Sequence, residues 1–257
     1  MSSPDALKRI LISLATYNER ENLPALVQEI HAIVPSADVL VIDDHSPDGT
    51  GELADELSRA DPRVHVLHRP GKLGLGTAIL AGVHYAFAHR YDLFVNMDAD
   101  FSHHPRYLPA LLAGMQKHDV MIGSRYVPGG GVLHWPWPRR LMSGGINTLV
   151  RLLLRIPAHD TSGGYRCYRV AKLRQTNLDG LLSRGYSFQQ ELLYRCRQAG
   201  SSIGEAPIVF ENRRAGASKV NVKEATRSMG VLVWIGIRAL LGVDGERGRV
   251  RMASGGR

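Results

Sequence analysis

From residue 9 to residue 124, short apolar runs rich in β-branched residues alternate with amphipathic segments of helical period, and this alternation narrows the fold more than any other feature. It is the pattern of an α/β domain with a mostly parallel sheet flanked by helices. Strands are expected near 9–15, 38–43, 63–68, 92–98 and 119–124, with helices near 22–34, 50–60, 77–90 and 105–117. Each early strand runs into an unusual loop: TYNE at 16–19, DDHSPDGTG at 43–51, GKLGLGT at 71–77 and DADFSHHP at 98–105. In open α/β sheets, ligands bind at that edge.

The fourth loop carries the sharpest chemistry. The apolar run from Asp92 to Met97 ends by setting Asp98 and Asp100 one residue apart. At strand spacing, residues i and i+2 share a face, so the two carboxylates lie about 6 to 7 Å apart. Like charges that close repel unless a cation lies between them. A hard divalent ion would serve, because Mg²⁺ takes one or two carboxylates and fills its other positions with phosphate oxygens and water. A capped turn explains the same residues without a metal.

The net charge of +8 conceals an asymmetry. Residues 1–120 hold 10 Lys and Arg against 16 Asp and Glu, whereas residues 121–257 hold 22 against 8. The second part is therefore +14 and the first −6, which points the basic half at phosphate, an acidic membrane face or nucleic acid, or leaves it a solvated basic surface. Cys167 and Cys196 have no metal or redox spacing and read as reduced thiols. Residues 1–12 lack an apolar signal core, so a cytoplasmic location is expected.

After Arg125 the alternation loosens. VPGGGVLHWPWPRR (127–140) reads as a long loop with Trp135 and Trp137 exposed, followed by helices near 140–154 and 188–199 and strands near 164–169 and 203–210. The segment 229–243 is apolar but has 15 residues and contains Arg238, which is short of the roughly 20 residues of a span. With Lys223, Arg227 and Arg238 on one stripe and Trp234 beside it, the segment suits either a bilayer interface or packing on the protein. The expected organisation is a main α/β domain over 1–221, an amphipathic helix over 222–243 and a disordered basic tail over 244–257.

In the second loop Asp43, Asp44 and Asp48 present carboxylates suited to a nucleobase or ribose, and in the third Lys72 offers a point charge for phosphate beside glycines that admit close approach. GKLGLG has neither Walker nor dinucleotide spacing. Taken in order, ATYNERENLP, VIDDHSPDGTG, LHRPGKLGLGTA, MDADFSHHP, IGSRYVPGG, DTSGGYRCYR, GYSFQQE and PIVFENRRAGASK resemble the polyprenyl-phosphate (dolichyl-phosphate) mannose synthases of glycosyltransferase family two, in the short form without a C-terminal membrane domain. The resemblance covers roughly residues 8–222.

That resemblance implies a GT-A type nucleotide-diphospho-sugar transferase fold, GDP-mannose as donor, Mg²⁺ or Mn²⁺, and a polyprenyl phosphate acceptor. The reaction would invert the anomeric centre and give a β-linked mannosyl phosphate. By position, Asp98 and Asp100 are the implied metal residues, with Ala99 contributing backbone and Ser102 standing where many relatives have a Gln contact. The donor nucleotide would lie against Ala15, Tyr17, Glu19, Asp44 and Lys72, all within the first 130 residues. Ala15 replaces the proline usual before TYNE. Arg125, Arg139, Arg140, Ser143, Arg213 and Lys219 match positions that meet phosphates of donor and acceptor.

A phosphate monoester acceptor, with a second pKa of about 6, is already largely dianionic at pH 7 and needs no strong base. Glu191 of FQQE is the nearest candidate for one, although it could equally support the fold; Arg166 and Arg169 read as fold-supporting. Rival readings are transfer of glucose or an N-acetylhexosamine, or a non-catalytic module for anionic membranes or nucleic acid. The paired carboxylates, with Lys72 and the GASK segment, argue for an enzyme over such a module; the lipid acceptor implied by the resemblance takes it to a membrane surface, reached by the chain itself or through a small membrane subunit, and no nucleic acid is expected.

Overall fold

The computed structural model describes residues 8–183, 185, 187–211 and 230–238. Four strands, β1 (Ile10–Thr16), β2 (Ala37–Asp43), β3 (Val64–His68) and β4 (Leu93–Asp98), alternate with α1 (Leu23–Ile33), α2 (Thr50–Ala60) and α3 (Leu75–Ala88). Then follow α4 (Leu108–Gly114), β5 (Val120–Ser124), β6 (Gly131–Val132), α5 (Trp137–Leu153), β7 (Arg166–Arg169), α6 (Val170–Leu173), α7 (Phe188–Gln198), β8 (Ile203–Pro207) and β9 (Val209–Phe210). The main sheet runs β3-β2-β1-β4-β7-β5-β8, and β7 is antiparallel to both its neighbours while the remaining pairs are parallel. The expected mostly parallel α/β sheet is therefore present.

The local reasons are visible in the residues. α1 accepts Pro24 in its first turn, where no intrahelical N–H is needed, and buries Leu23, Leu26, Val27 and Ile30 at helical spacing. β4 is covered on both faces and reads as an almost unbroken apolar run. Phe94 enters the core layer shared with α3 and α7, whereas Leu93, Val95 and Met97 enter the opposite layer with α1 and α4. Truncating Phe94 to Ala would cost about 3 to 5 kcal/mol.

Several boundaries differ from expectation. The segment near 105–117 divides into a 3₁₀ turn (Pro105–Tyr107) and α4. The strand near 203–210 divides at Ile208: β8 joins the main sheet, and β9 pairs with β6 in a separate ribbon. The long loop is shorter than read, since α5 begins at Trp137. Trp135 is buried at 8 % exposure, stacked beneath Arg139 and edge-on to Phe210, while Trp137 is 72 % exposed. Its burial depends on a partner 75 residues away, which local composition does not reveal.

Of the expected helix at 222–243, residues 230–238 are described and helical, with Leu232 and Ile235 in the same core layer as Val150 and Leu154. Gly236 lies so close to Leu153 that a Cβ there would meet its side chain. This part packs on the domain. No helix among the described residues is long and apolar enough to cross a membrane. Lys223, Arg227 and the tail at 244–257 lie outside the described residues.

Candidate active site

The strand order places a switch point between β1 and β4: β2 and β3 extend the sheet on one side and β4 on the other. A crevice for ligands forms where neighbouring parallel strands diverge in this way. At its floor Ala15 pairs in register with both Ile42 and Asp98, and Thr16 with Asp43. The first, second and fourth loops thus leave the sheet side by side. Each contains a non-glycine residue with positive φ, Asn18 (62°), His45 (56°) and Phe101 (62°). For a bulky residue such as Phe101 this is an outlier, and such strain gathers at functional turns.

Asp98 ends β4 with its side chain 37 % exposed, while Asp100 lies in the following turn at only 5 %. Asp100 is thus a buried carboxylate of the turn and not an open loop group. Its Oδ1 accepts hydrogen bonds from the Ser102 N–H (3.0 Å) and hydroxyl (2.5 Å), which hold the carboxylate in place. The Ser102 hydroxyl therefore orients Asp100. His103 Nδ1 accepts the Asp98 N–H at 3.0 Å, which requires Nδ1 to be unprotonated, so its 3.5 Å approach to Asp98 Oδ2 is not an ion pair in this tautomer. The ring is fixed by stacking on Tyr165 and an edge contact with Phe210.

The other loops line the same edge. Lys72 Nζ sits 4.3 Å from the centre of the half-exposed Tyr17 ring, a cation–π pair across the crevice mouth. Glu19 Oε2 accepts from Asn22 Nδ2 at 2.9 Å, and its backbone carbonyl starts α1. Asp43 is consumed locally by Thr16 and Ser46, and Asp48 by Thr50 and Arg20. Asp44 differs. It is buried 3.0 Å from Arg69 Nη1, yet the two atoms are not aligned as a hydrogen bond. Burial raises its pKa against the opposing pull of Arg69. Arg69, which donates to Thr77 Oγ1 at 2.6 Å, has no sequence signal beyond its place before GKLGLG.

The basic cluster is more committed than the sequence suggests. Arg125 gives Nε and Nη2 to Asp160 (2.7 and 2.8 Å) and Nη2 also to Ser162 (2.9 Å), rather than presenting an open fork. Burial alone would raise the Asp160 pKa, but hydrogen bonds and charge from Arg125 outweigh it and hold the carboxyl below its ordinary value. Asn147 of α5 accepts from Thr161 and from the Ser162 N–H, and donates to the Ser162 hydroxyl, securing the same turn. Ser143, one helical turn earlier, is hydrogen-bonded to the Tyr126 hydroxyl at 2.7 Å. Arg140 donates to the carbonyls of Trp135 and Val132, and Arg139 lies 4.0 Å over the Trp135 ring. Arg213 and Lys219 lie outside the described residues.

Glu191 is not placed to act as a base. It is fully buried and its two oxygens accept from the N–H groups of Leu182 and Ser183 and from Arg195. Arg166 is likewise sealed, but it supports the fold through the carbonyls of Gly163, Thr161 and Gln189 rather than through an ion pair. Arg169 combines both, with Asp119 and the Met115 carbonyl.

Among the described residues no group of three or more His, Cys, Asp or Glu side chains could hold a metal by itself. Two carboxylates at one strand end, one of them oriented by Ser102, are instead of the kind that suits a hard cation whose remaining positions are filled by phosphate oxygens and water. The residues fit such an ion.

The seven-stranded sheet with its switch-point carboxylates defines a GT-A type glycosyltransferase fold. Crystal structures of glucosyl-3-phosphoglycerate synthase from Mycobacterium tuberculosis share it: the complex with Mn²⁺, UDP-glucose and phosphoglyceric acid superposes with a TM-score of 0.61 at 16 % identity, over 90 % of this chain and 79 % of that one. Residues 12–176 match the model of glycosyl transferase family 2, and the chain belongs to that family. It is 47 % identical over 246 residues to a polyprenol monophosphomannose synthase of Mycolicibacterium smegmatis, covering 95 % of this chain and 92 % of the relative. An undecaprenyl-phosphate mannosyltransferase of Micrococcus luteus is 43 % identical over 242 residues, covering 91 % and 100 %.

Proposed function

We propose that the protein transfers mannose from GDP-mannose to a polyprenyl phosphate, with inversion, giving polyprenyl phosphate β-mannose. The observation that carries this reading is the Asp98–Asp100 pair at the β1/β4 switch point, in a chain 47 % identical over nearly its whole length to a protein named for that product. Mg²⁺ or Mn²⁺ held by Asp98 and Asp100 would neutralise charge on the leaving diphosphate. Ala99 and Ala15 supply backbone at the same floor, and Tyr17, Glu19 and Lys72 offer a face, a carboxylate and a charge to the nucleotide. Asp44, buried and imperfectly matched to Arg69, is suited to the paired N–H donors of a guanine edge.

The acceptor needs cations more than a base, because two anions must be brought together and the leaving charge stabilised. Arg139, Arg140, Ser143, Arg213 and Lys219 are the proposed phosphate contacts. Arg125 holds the turn at 160–163 in place, and any contact of its own with phosphate would use the Nη1 edge that Asp160 and Ser162 leave. The fully engaged Glu191 fits a reaction without a protein base.

A lipid acceptor requires the enzyme to work at the membrane, at the cytoplasmic face in this reading. α5 supports this. It turns Asn147 and Val150 inward and exposes Trp137, Leu141, Met142, Leu149 and Leu152, while the neighbouring helix exposes Val233, Trp234 and Ile237. The reading is tested by incubating purified protein with Mn²⁺, polyprenyl phosphate and radiolabelled sugar nucleotides. Labelled lipid from GDP-mannose alone is expected; label from a glucose or N-acetylhexosamine donor, or none from any, overturns it.

A further inference from the structure

Gln189, in the first turn of α7, is 5 % exposed, and neither Oε1 nor Nε2 of its carboxamide has a hydrogen-bond partner. A buried amide with both heteroatoms unmatched is costly and asks for an explanation. Its surroundings supply one. A Cβ built on Gly164 would stand 3.5 Å from Gln189 Nε2, 3.4 Å from His103 Cε1 and 3.8 Å from Asn96 Nδ2. β4 and β7 pair Asn96 with Arg166, and continuing that antiparallel register by two residues sets Gly164 opposite Asp98. Gln189 therefore faces the space left by a missing side chain beside the strand end that carries the first carboxylate.

The character of that space selects its occupant. A phosphate offers acceptors only and would leave Oε1 unmatched, and a cation would leave Nε2 unmatched. A hydroxyl both donates and accepts, as a carboxamide does. The nearby guanidinium of Arg166 is spent on backbone carbonyls, and His103 Nδ1 on the Asp98 N–H. We propose that Gln189, with the opening at Gly164, recognises hydroxyl groups of the transferred hexose and so takes part in sugar selection. The proposal rests on the donor reading above.

The test compares a nucleoside diphosphate with its own sugar conjugate, so that sugar recognition separates from nucleotide recognition. With Mn²⁺ present, calorimetric titration of GDP and GDP-mannose is made on wild type, Gln189→Leu and Gly164→Ala. The second variant keeps the amide and places its Cβ at ordinary contact distance from its neighbours, filling the opening and nothing else. GDP affinity is expected to stay within about twofold, while GDP-mannose loses about tenfold in each variant, the scale of one neutral hydrogen bond. The preference in kcat/KM for GDP-mannose over GDP-glucose should fall by a similar factor in Gln189→Leu. An unchanged difference between the two ligands, or an equal loss for both, overturns the proposal, the latter assigning the amide to the fold. If Gln189→Leu does not fold, Gly164→Ala decides alone. If the wild type prefers another sugar nucleotide, the donor assignment fails and the same comparison is made with that nucleotide and its diphosphate, leaving Gln189 separately testable.

Discussion

Arg125 Nε stands 2.7 Å from Asp160 Oδ2 in a pair closed from water, the carboxylate fully buried and the guanidinium 9 % exposed. The bond fastens the end of β5 to the turn that precedes β7, and the Arg125 N–H and Gly163 N–H donate to the same carboxylate. One ion pair thus fixes the antiparallel strand lying between β4 and β5. The ring faces of Trp135 and Phe210, 5.6 and 5.7 Å from the guanidinium, complete its surroundings.

Removing the acidic partner should therefore be severe. Asp160→Ala strands a buried guanidinium and is expected to cost about 3 to 5 kcal/mol of folding stability, as for other broken buried pairs. Urea denaturation measures it, and a loss below 1 kcal/mol would show the pair to be dispensable.

The same pair predicts a pH effect of known sign. Because the folded-state pKa of Asp160 is depressed, its contribution is fully present above the unfolded value of about 3.9 and is lost as pH falls through the lower folded value. Asp48, Asp61 and Asp119 are also depressed, so the comparison must be with a variant. Asp160→Asn should flatten the decline in stability below about pH 4, and parallel wild-type and variant curves there would contradict this.

Asp98 and Asp100 should separate in stability while agreeing in activity. Asp100→Ala leaves the Ser102 N–H and hydroxyl without their buried acceptor, which costs about 1 to 3 kcal/mol. Asp98→Ala, at a more exposed site, should cost less than about 1 kcal/mol. Both should reduce transfer to a few per cent or less at saturating Mn²⁺. Substantial turnover by either would remove the metal assignment.

These contrasts show which parts of the site the sequence makes legible. The edge carrying Asp98 and Asp100 follows from strand period and loop position, because both are local properties of the chain. The engagement of Arg125 does not, since its partner is 35 residues away and sequence alone displays a cationic residue without saying what neutralises it. Asp160 stands in DTSGGYRCYR, where an acidic residue before two glycines looks like a turn former. Trp135 fails for a similar reason: proline and glycine neighbours read as loop, and the contacts that cover the ring, with Phe210 and Arg139 among them, are made in three dimensions. Gln189 is visible in FQQE, but its missing partners are a fact of three dimensions.

Glu191 provides a direct test of a reaction without a protein base. Glu191→Gln keeps the shape but withdraws charge from Arg195 and weakens acceptance from the N–H groups of Leu182 and Ser183, so stability should fall by about 1 to 3 kcal/mol. Turnover per folded molecule should stay within about threefold at 10 °C, well below unfolding. A loss of a hundredfold or more with a displaced pH profile would restore Glu191 as a base.

Membrane association is best tested on α5, because truncation after Asn221 would also remove Leu232 and Ile235 from the core. Leu141 and Leu152 are 66 % and 70 % exposed on the outer face of a helix whose inner face holds Asn147 and Val150, so charges there should leave the fold intact. A helix of this kind gains affinity from apolar burial at the interface and about 1 kcal/mol per nearby Lys or Arg, the latter weakened by salt. Arg151 and Arg155 lie exposed toward its C-terminal end. Wild-type protein should sediment with vesicles containing phosphatidylglycerol and release as ionic strength rises, and the double variant Leu141→Asp, Leu152→Asp should bind at least about tenfold more weakly while titrating normally with GDP-mannose. Equal vesicle binding by both would move the contact surface off α5. No binding by either at any ionic strength would mean that a separate membrane subunit brings the enzyme to its acceptor.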